Sequence, residues 1–283
     1  MPEMARLLHR TLYTYDRPVR LGPHWIRLRP LPDARRPALP YRLAVDPAPV
    51  SLHWQIGPLG NFSARVILPG PLQRLALEVT LDLDLTPVNA FDFLLDPAAE
   101  RWPFQYSASG ADALAPYRWA EYPGPLLGAL QSETAGAADT VPFVLGLAAA
   151  VRDRLAYIVR EEAGVWPPDR TLMEGRGSCR DSAWLLVQLL RLHGIAARFV
   201  SGYLVQTPED GASLSAELHA WAAAYLPGAG WVGIDATSGS LTAEGHVGLA
   251  AAPSPREAAP LSGTVEPAGV RLETSITMER LAA

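Results

Sequence analysis

The sequence predicts an α+β chain: an antiparallel β-sandwich-like N-terminal part, then a helix packed on an antiparallel sheet. Three observations predict it. Residues 4–85 hold short β-like runs punctuated by Pro and Gly, as in sandwiches and barrels. From Thr140 the apolar period lengthens to that of a helix. Farther on, His219–Leu226 and Trp231–Asp235 are strand-like runs joined by Pro227-Gly228-Ala229-Gly230, the pattern of a hairpin.

The expected N-terminal strands are Ala5–Tyr15, Trp25–Leu31, Tyr41–Asp46, Ser51–Ile56, Ser63–Leu68 and Arg74–Leu85. In the last, Leu75, Leu77, Val79, Leu81, Leu83 and Leu85 recur every second residue and share one face. Residues 86–138, rich in aromatics and Pro, read as an irregular connector wrapping onto the core. Val141, Val144, Leu145, Ala148, Leu155 and Ile158 fit one helical stripe. A further helix starts at Ser178, an N-cap with Asp181 as capping-box partner, and stops at Gly194. A strand Ala197–Val205, a loop over residues 206–216 and the hairpin follow. Residues 270–281 alternate again and are expected to return to the N-terminal sheet. The division is residues 1–135 for the β-rich part with its connector, 136–265 for the core, and 266–283 for the returning strand.

Composition narrows the function. The 283 residues are 49% hydrophobic, with a mean hydropathy of +0.07, ample for a core. Twenty-four basic and 29 acidic residues leave a charge of −5, and no basic block suggests a nucleic acid or membrane surface as partner. The opening Met-Pro-Glu-Met-Ala-Arg lacks an apolar signal region, and no apolar run approaches the roughly 20 residues of a membrane span. A cytoplasmic location is expected. The single cysteine allows no internal disulfide, and a free thiol suits reducing surroundings. No zinc-ligand spacing, calcium loop or phosphate-binding glycine motif is present, so no metal or cofactor is expected.

That cysteine, Cys179, falls on the first turn of the predicted helix. A lone cysteine is ordinarily a small buried hydrophobe. This one follows a Gly-rich loop through Gly175 and Gly177, where free backbone N–H groups and the positive helix end favour a thiolate, the nucleophilic form. A base and an orienting acid follow it. If residues 225 and 231 pair in the hairpin, 221 faces 235, and His219 and Asp235 lie diagonally on one face; a one-residue slip would separate them. His219 would then take the thiol proton, Asp235 would hold the imidazole tautomer, and the Cys179 N–H would serve the oxyanion.

The segments 177–186, 194–204, 219–221 and 230–239, which hold Cys179, His219 and Asp235, resemble a bacterial transglutaminase-like protein of the papain-like thiol superfamily. Residues 15–30 resemble the β-rich domain that precedes the core in bacterial members. The resemblance implies a papain-like, transglutaminase-like core and matches its catalytic Cys, His and Asp to Cys179, His219 and Asp235. Ala236 stands where many relatives have proline, which should loosen the turn after the strand.

Among the other conspicuous residues, Trp166 could line an acyl pocket, Arg176 could lower the thiol pKa or bind an anionic substrate group, and Trp221 alternates with His219 and could face the cleft; packing or solvated charge is the plainer role for each. Asp181 reads as a cap. His246, in Glu-Gly-His beyond the triad, could take a rim role, but no spacing compels it. The expected enzyme attacks a carboxamide or peptide carbonyl of a peptide or protein substrate and forms a thioester, which an amine (transamidation) or water (hydrolysis) then resolves. A cysteine peptidase or amidase, an arylamine acetyltransferase, and a non-catalytic peptide-binding module are the rival readings.

Overall fold

In a computed structural model of the chain, residues 3–32, 39–121, 124–207 and 213–281 are described. The elements run β1 (Met4–Val19), β2 (Leu21–Ile26), β3 (Tyr41–Asp46), β4 (Ser51–Ile56), β5 (Phe62–Ile67), β6 (Leu72–Asp84), β7 (Arg101–Trp102), α1 (Ala108–Ala113), α2 (Pro125–Glu133) and β8 (Ala138–Asp139). There follow α3 (Thr140–Arg152), β9 (Ala156–Tyr157), α4 (Pro168–Glu174), β10 (Arg176–Gly177) and α5 (Cys179–Leu192). The chain ends with β11 (Ala197–Gln206), β12 (Ser215–Leu226), β13 (Gly230–Asp235), β14 (Ser240–Leu241), β15 (His246–Ala252), β16 (Leu261–Val265) and β17 (Val270–Arg280).

The fold is α+β. Two antiparallel sheets, ordered β17-β1-β6-β3 and β16-β2-β5-β4, face each other as a sandwich. Between them lie Leu7 of β1, Ile26 of β2, Ala64 and Val66 of β5, and the alternating residues of β6 from Leu75 to Leu83. Each such Leu contributes about 1.5–3 kcal/mol by leaving water. Both late strands belong here: β17 pairs with β1 from Ala5↔Arg280 to Tyr15↔Val270, and β16 pairs with β2.

The five-stranded sheet of the core is antiparallel, ordered β14-β13-β12-β11-β15. On one face of β12, Ala220, Ala222 and Ala224 are small enough for α5 to lie close, and they share a buried cluster with Leu185, Leu186, Leu189 and Leu190 of that helix. The helices α2, α3 and α4 pack around α5. Tyr203, Val205 and Leu249 join the sandwich core instead, and the buried Tyr203 hydroxyl meets His9 Nδ1 of β1 at 2.8 Å. A shared core and a buried hydrogen bond thus set the sheet against the sandwich.

Several elements differ from expectation. The second strand is Leu21–Ile26 rather than Trp25–Leu31, because the chain turns to the core sheet, where the Leu31 N–H donates to Gly248 O. The connector contains α1 and α2, and Leu127 and Leu130 of α2 bury in the core cluster ahead of residue 136. The helix from Thr140 stops at Arg152, so Leu155 and Ile158 lie beyond it; the Ala156 and Ile158 N–H groups bond instead to Gly175 O and Gly177 O. Residues 208–212 of the expected loop lie outside the described residues.

Candidate active site

A network around Asp181 builds the Cys179 corner. Ser178 is extended (φ −81°, ψ 172°) and α5 begins after it. Asp181, fully buried, accepts from the Ser178 N–H (3.0 Å) and Oγ–H (2.7 Å), closing the cap. It also accepts from Arg160 Nε (3.0 Å) and Nη2 (2.9 Å) and from the Trp166 N–H (2.8 Å). Burial favours its protonation, but these donors win and hold its carboxyl below the usual carboxylate range. On the other side β9 runs parallel to β10, setting Tyr157 beside Gly177. Cys179 is a free thiol, 8% exposed.

The hairpin supplies the partners. Tyr225 pairs with Trp231 and Ala222 with Ile234, the register that puts His219 and Asp235 on one face. Their side chains meet at 3.0 Å, His219 Nε2 to Asp235 Oδ2, with both almost fully buried. Asp235 Oδ1 accepts from the Thr237 N–H and Oγ–H, each at 2.8 Å. That pair of bonds secures the turn after the strand, so Ala236 in place of proline does not leave it loose. His219 Nδ1 is buried without an oxygen or nitrogen partner. Burial pushes the His219 ring toward its neutral form. The Asp235 carboxylate and then the Cys179 thiol overcome this and raise its pKa to about 10. Asp235 is held well below the usual range: burial opposes ionisation, while His219, His246 and Thr237 favour it.

Cys179 and His219 open onto a cleft of about 920 Å³, bordered by Tyr157, Arg180, Phe199, Glu217 and Pro255 among others. Its wall is largely apolar, with the carboxylate of Glu217 two residues before His219 on the same strand. Tyr157 was not singled out from the sequence. Its phenol is pushed up to about 12 by burial and by the negative charge of Cys179, Glu217 and Asp235, and it borders the cleft as a hydrogen-bond donor.

The three proposed substrate-binding residues sit elsewhere. Trp166 is buried, and the guanidinium groups of Arg160 (4.7 Å) and Arg170 (4.3 Å) both lie over its ring. Arg176 points to the surface and pairs with Glu174 at 3.3 Å. Trp221 is buried on the His219 side of β12, its ring 6.3 Å from that imidazole at 28° and edge-on to His246 at 5.3 Å. Trp166 braces the Cys179 corner and Trp221 backs the histidines; none of the three lines the cleft. His246, for which the sequence offers only a rim role, reaches the triad itself: its Nε2 lies 3.2 Å from Asp235 Oδ2. No local spacing could have found it, because β15 reaches the site only by pairing with β11.

Comparison with known proteins agrees with this architecture. Residues 128–236 match the transglutaminase-like superfamily core, and residues 5–84 match the bacterial transglutaminase-like N-terminal region. Uncharacterised proteins of Mycobacterium bovis and Mycobacterium tuberculosis are each 25% identical over 272 residues, covering 92% of this chain and 87% of theirs. The crystal structure of a candidate cysteine protease from Cytophaga hutchinsonii superposes with a TM-score of 0.71 at 18% identity, covering 100% of this chain and 92% of that one. That likeness establishes the fold.

Proposed function

For this chain, which belongs to the bacterial transglutaminase-like family, we propose a thiol acyltransferase that works through Cys179, His219 and Asp235. The observation that carries the reading is the His219 ring: Nε2 is held by Asp235, while Nδ1 has no other partner and is left for the thiol. The raised His219 pKa keeps a proton ready on the ring near neutral pH.

The Cys179 Sγ attacks the carbonyl carbon of a carboxamide or peptide bond, and the C=O electron pair moves to oxygen. Cys179 occupies the first helical position, so its N–H has no partner within the helix and faces the developing oxyanion. When the pair returns, the C–N bond breaks, the His219 imidazolium protonates the departing nitrogen, and a thioester remains on Sγ. An amine or water then adds to the thioester, gives its proton to His219, and releases the thiolate. Asp235 holds the ring orientation throughout and stabilises its cationic form.

The substrate in this reading is a peptide or protein carboxamide, resolved by a small or side-chain amine. Hydrolysis as the main outcome, a peptidase or amidase, is the second reading; the name of the Cytophaga protein favours it. A test offers a glutamine-peptide library with a biotinylated primary amine and follows amine incorporation, ammonia and cleaved peptide together. Incorporation with ammonia release supports transamidation, and cleavage without incorporation supports hydrolysis. Neither, beside a Cys179 that iodoacetamide labels no faster than a free thiol, counts against an enzyme.

A further inference from the structure

His246 shares the oxygen on which the site turns. Asp235 Oδ2 accepts from His219 Nε2 at 3.0 Å and from His246 Nε2 at 3.2 Å. An ionised carboxylate only accepts hydrogen bonds, so both Nε2 atoms must carry hydrogen. On the far side of the His246 ring, the Ala243 N–H donates to Nδ1 at 3.4 Å, which makes that nitrogen an acceptor. The two contacts together select the Nε2–H tautomer. With Thr237 donating twice to Oδ1, the carboxylate receives four hydrogen bonds, about as many as its lone-pair sites allow. The ring has little freedom to turn: its side chain is 12% exposed, and Trp221 meets it edge-on at 5.3 Å and 84°.

We infer that His246 is a positioning residue for the acyl-transfer site: it holds the Asp235 carboxylate aimed at His219, and so helps set the charge state of the His219–Cys179 pair. It touches neither thiol nor substrate. His219, Asp235 and His246 gather their ligand atoms within 4.8 Å, a spacing that also suits a metal ion. Both imidazole Nε2 atoms lie within hydrogen-bond distance of the one oxygen Oδ2, and two hydrogen bonds account for that spacing; the geometry is that of a hydrogen-bond relay. The charged and titratable groups on the cleft side of the relay include Cys179, Tyr157, Arg180 and Glu217; Glu244, two residues before His246 in the chain, accepts from the Val88 N–H.

The inference takes its meaning for turnover from the acyl-transfer reading, but its tests need no substrate. The first is long-range ¹H–¹⁵N correlation of histidine-labelled wild-type protein. His246 should show a protonated Nε2 and an unprotonated Nδ1; the reverse tautomer overturns the inference. The second follows alkylation of Cys179 by iodoacetamide against pH. In His246→Phe nothing at residue 246 holds the Asp235 carboxylate aimed at His219, and a carboxylate turned away supports the imidazolium less, so the acid limb should move to higher pH by about 1 unit. His246→Gln, whose side-chain amide can donate from nearly the same point, should keep the wild-type limb. An unmoved limb in His246→Phe, or an equal shift in His246→Gln, overturns the inference. If the Phe variant does not fold, the tautomer and the Gln variant decide. If the wild-type thiol reacts like a free cysteine at every pH, the acyl-transfer reading fails while the tautomer result stands separately.

Discussion

Gly202 faces His219 across the β11–β12 ladder, and no side chain fits at that place. A Cβ on residue 202 would overlap the Trp221 ring and the Val247 carbonyl oxygen. Trp221 in turn lies along the His219 imidazole. The glycine supplies room, so that the tryptophan can lie over strand β11 and back the histidine.

Gly202→Ala should therefore destabilise the protein by about 1–3 kcal/mol through overpacking and displace Trp221 from His219. Urea unfolding gives the first quantity, and the rate of Cys179 alkylation reports the second. A variant as stable and as reactive as wild type would mean that Trp221 has another equally good resting place.

Asp235→Asn should keep the fold but set an amide N–H₂ or a weaker acceptor against two imidazole N–H groups and two Thr237 donors. Turnover should fall on the order of 10²–10³-fold, less than for Cys179→Ala, since a cysteine nucleophile depends less on the third member than serine does. Steady-state rates on one peptide amide decide it. A loss under about threefold would remove Asp235 from the mechanism.

The pH dependence follows from His219, raised in the fold from 6.5 to about 10 by Asp235 and Cys179 against the effect of burial. A raised pKa means that the folded state binds the proton more tightly. Its contribution to stability is complete below about 6.5 and is lost as pH rises through about 10. Thermal unfolding of wild type should thus decline across that window more steeply than that of His219→Gln. Parallel profiles would show that the ring carries no such proton.

Much of the fold was legible because its signals are local. Tyr225 pairs with Trp231 as the alternation around Gly228 and Gly230 indicates, and that register brings His219 to Asp235. The β6 leucines alternate and are buried accordingly. The short helices α2 and α4 were missed. Each begins with a proline, Pro125 or Pro168, in a Pro-rich stretch too brief to show a helical period. Trp166 looked like a pocket residue because it precedes the Cys179 loop; two guanidinium groups and the Asp181 carboxylate claim it instead. His246 escaped because it reaches Asp235 by pairing of β15 with β11, which no local period encodes.

Arg160→Met tests the support beneath Cys179. Arg160 and Asp181 are almost wholly buried side chains joined by two hydrogen bonds, and removing the cation leaves the carboxylate in place without its counter-charge. The expected loss is about 3–5 kcal/mol in urea unfolding. Under about 1 kcal/mol, the Ser178 and Trp166 donors alone would suffice to hold Asp181.

The central claim is that acyl groups pass through Cys179. Intact-mass spectrometry of the protein, quenched in acid during turnover of a glutamine-peptide library, tests it most directly. The account predicts a peptide-acyl adduct, with loss of ammonia or an amine, mapped to Cys179, discharged by added hydroxylamine and absent from a folded Cys179→Ala variant. Turnover that persists in Cys179→Ala, or an acyl adduct mapped to any other residue, would contradict it.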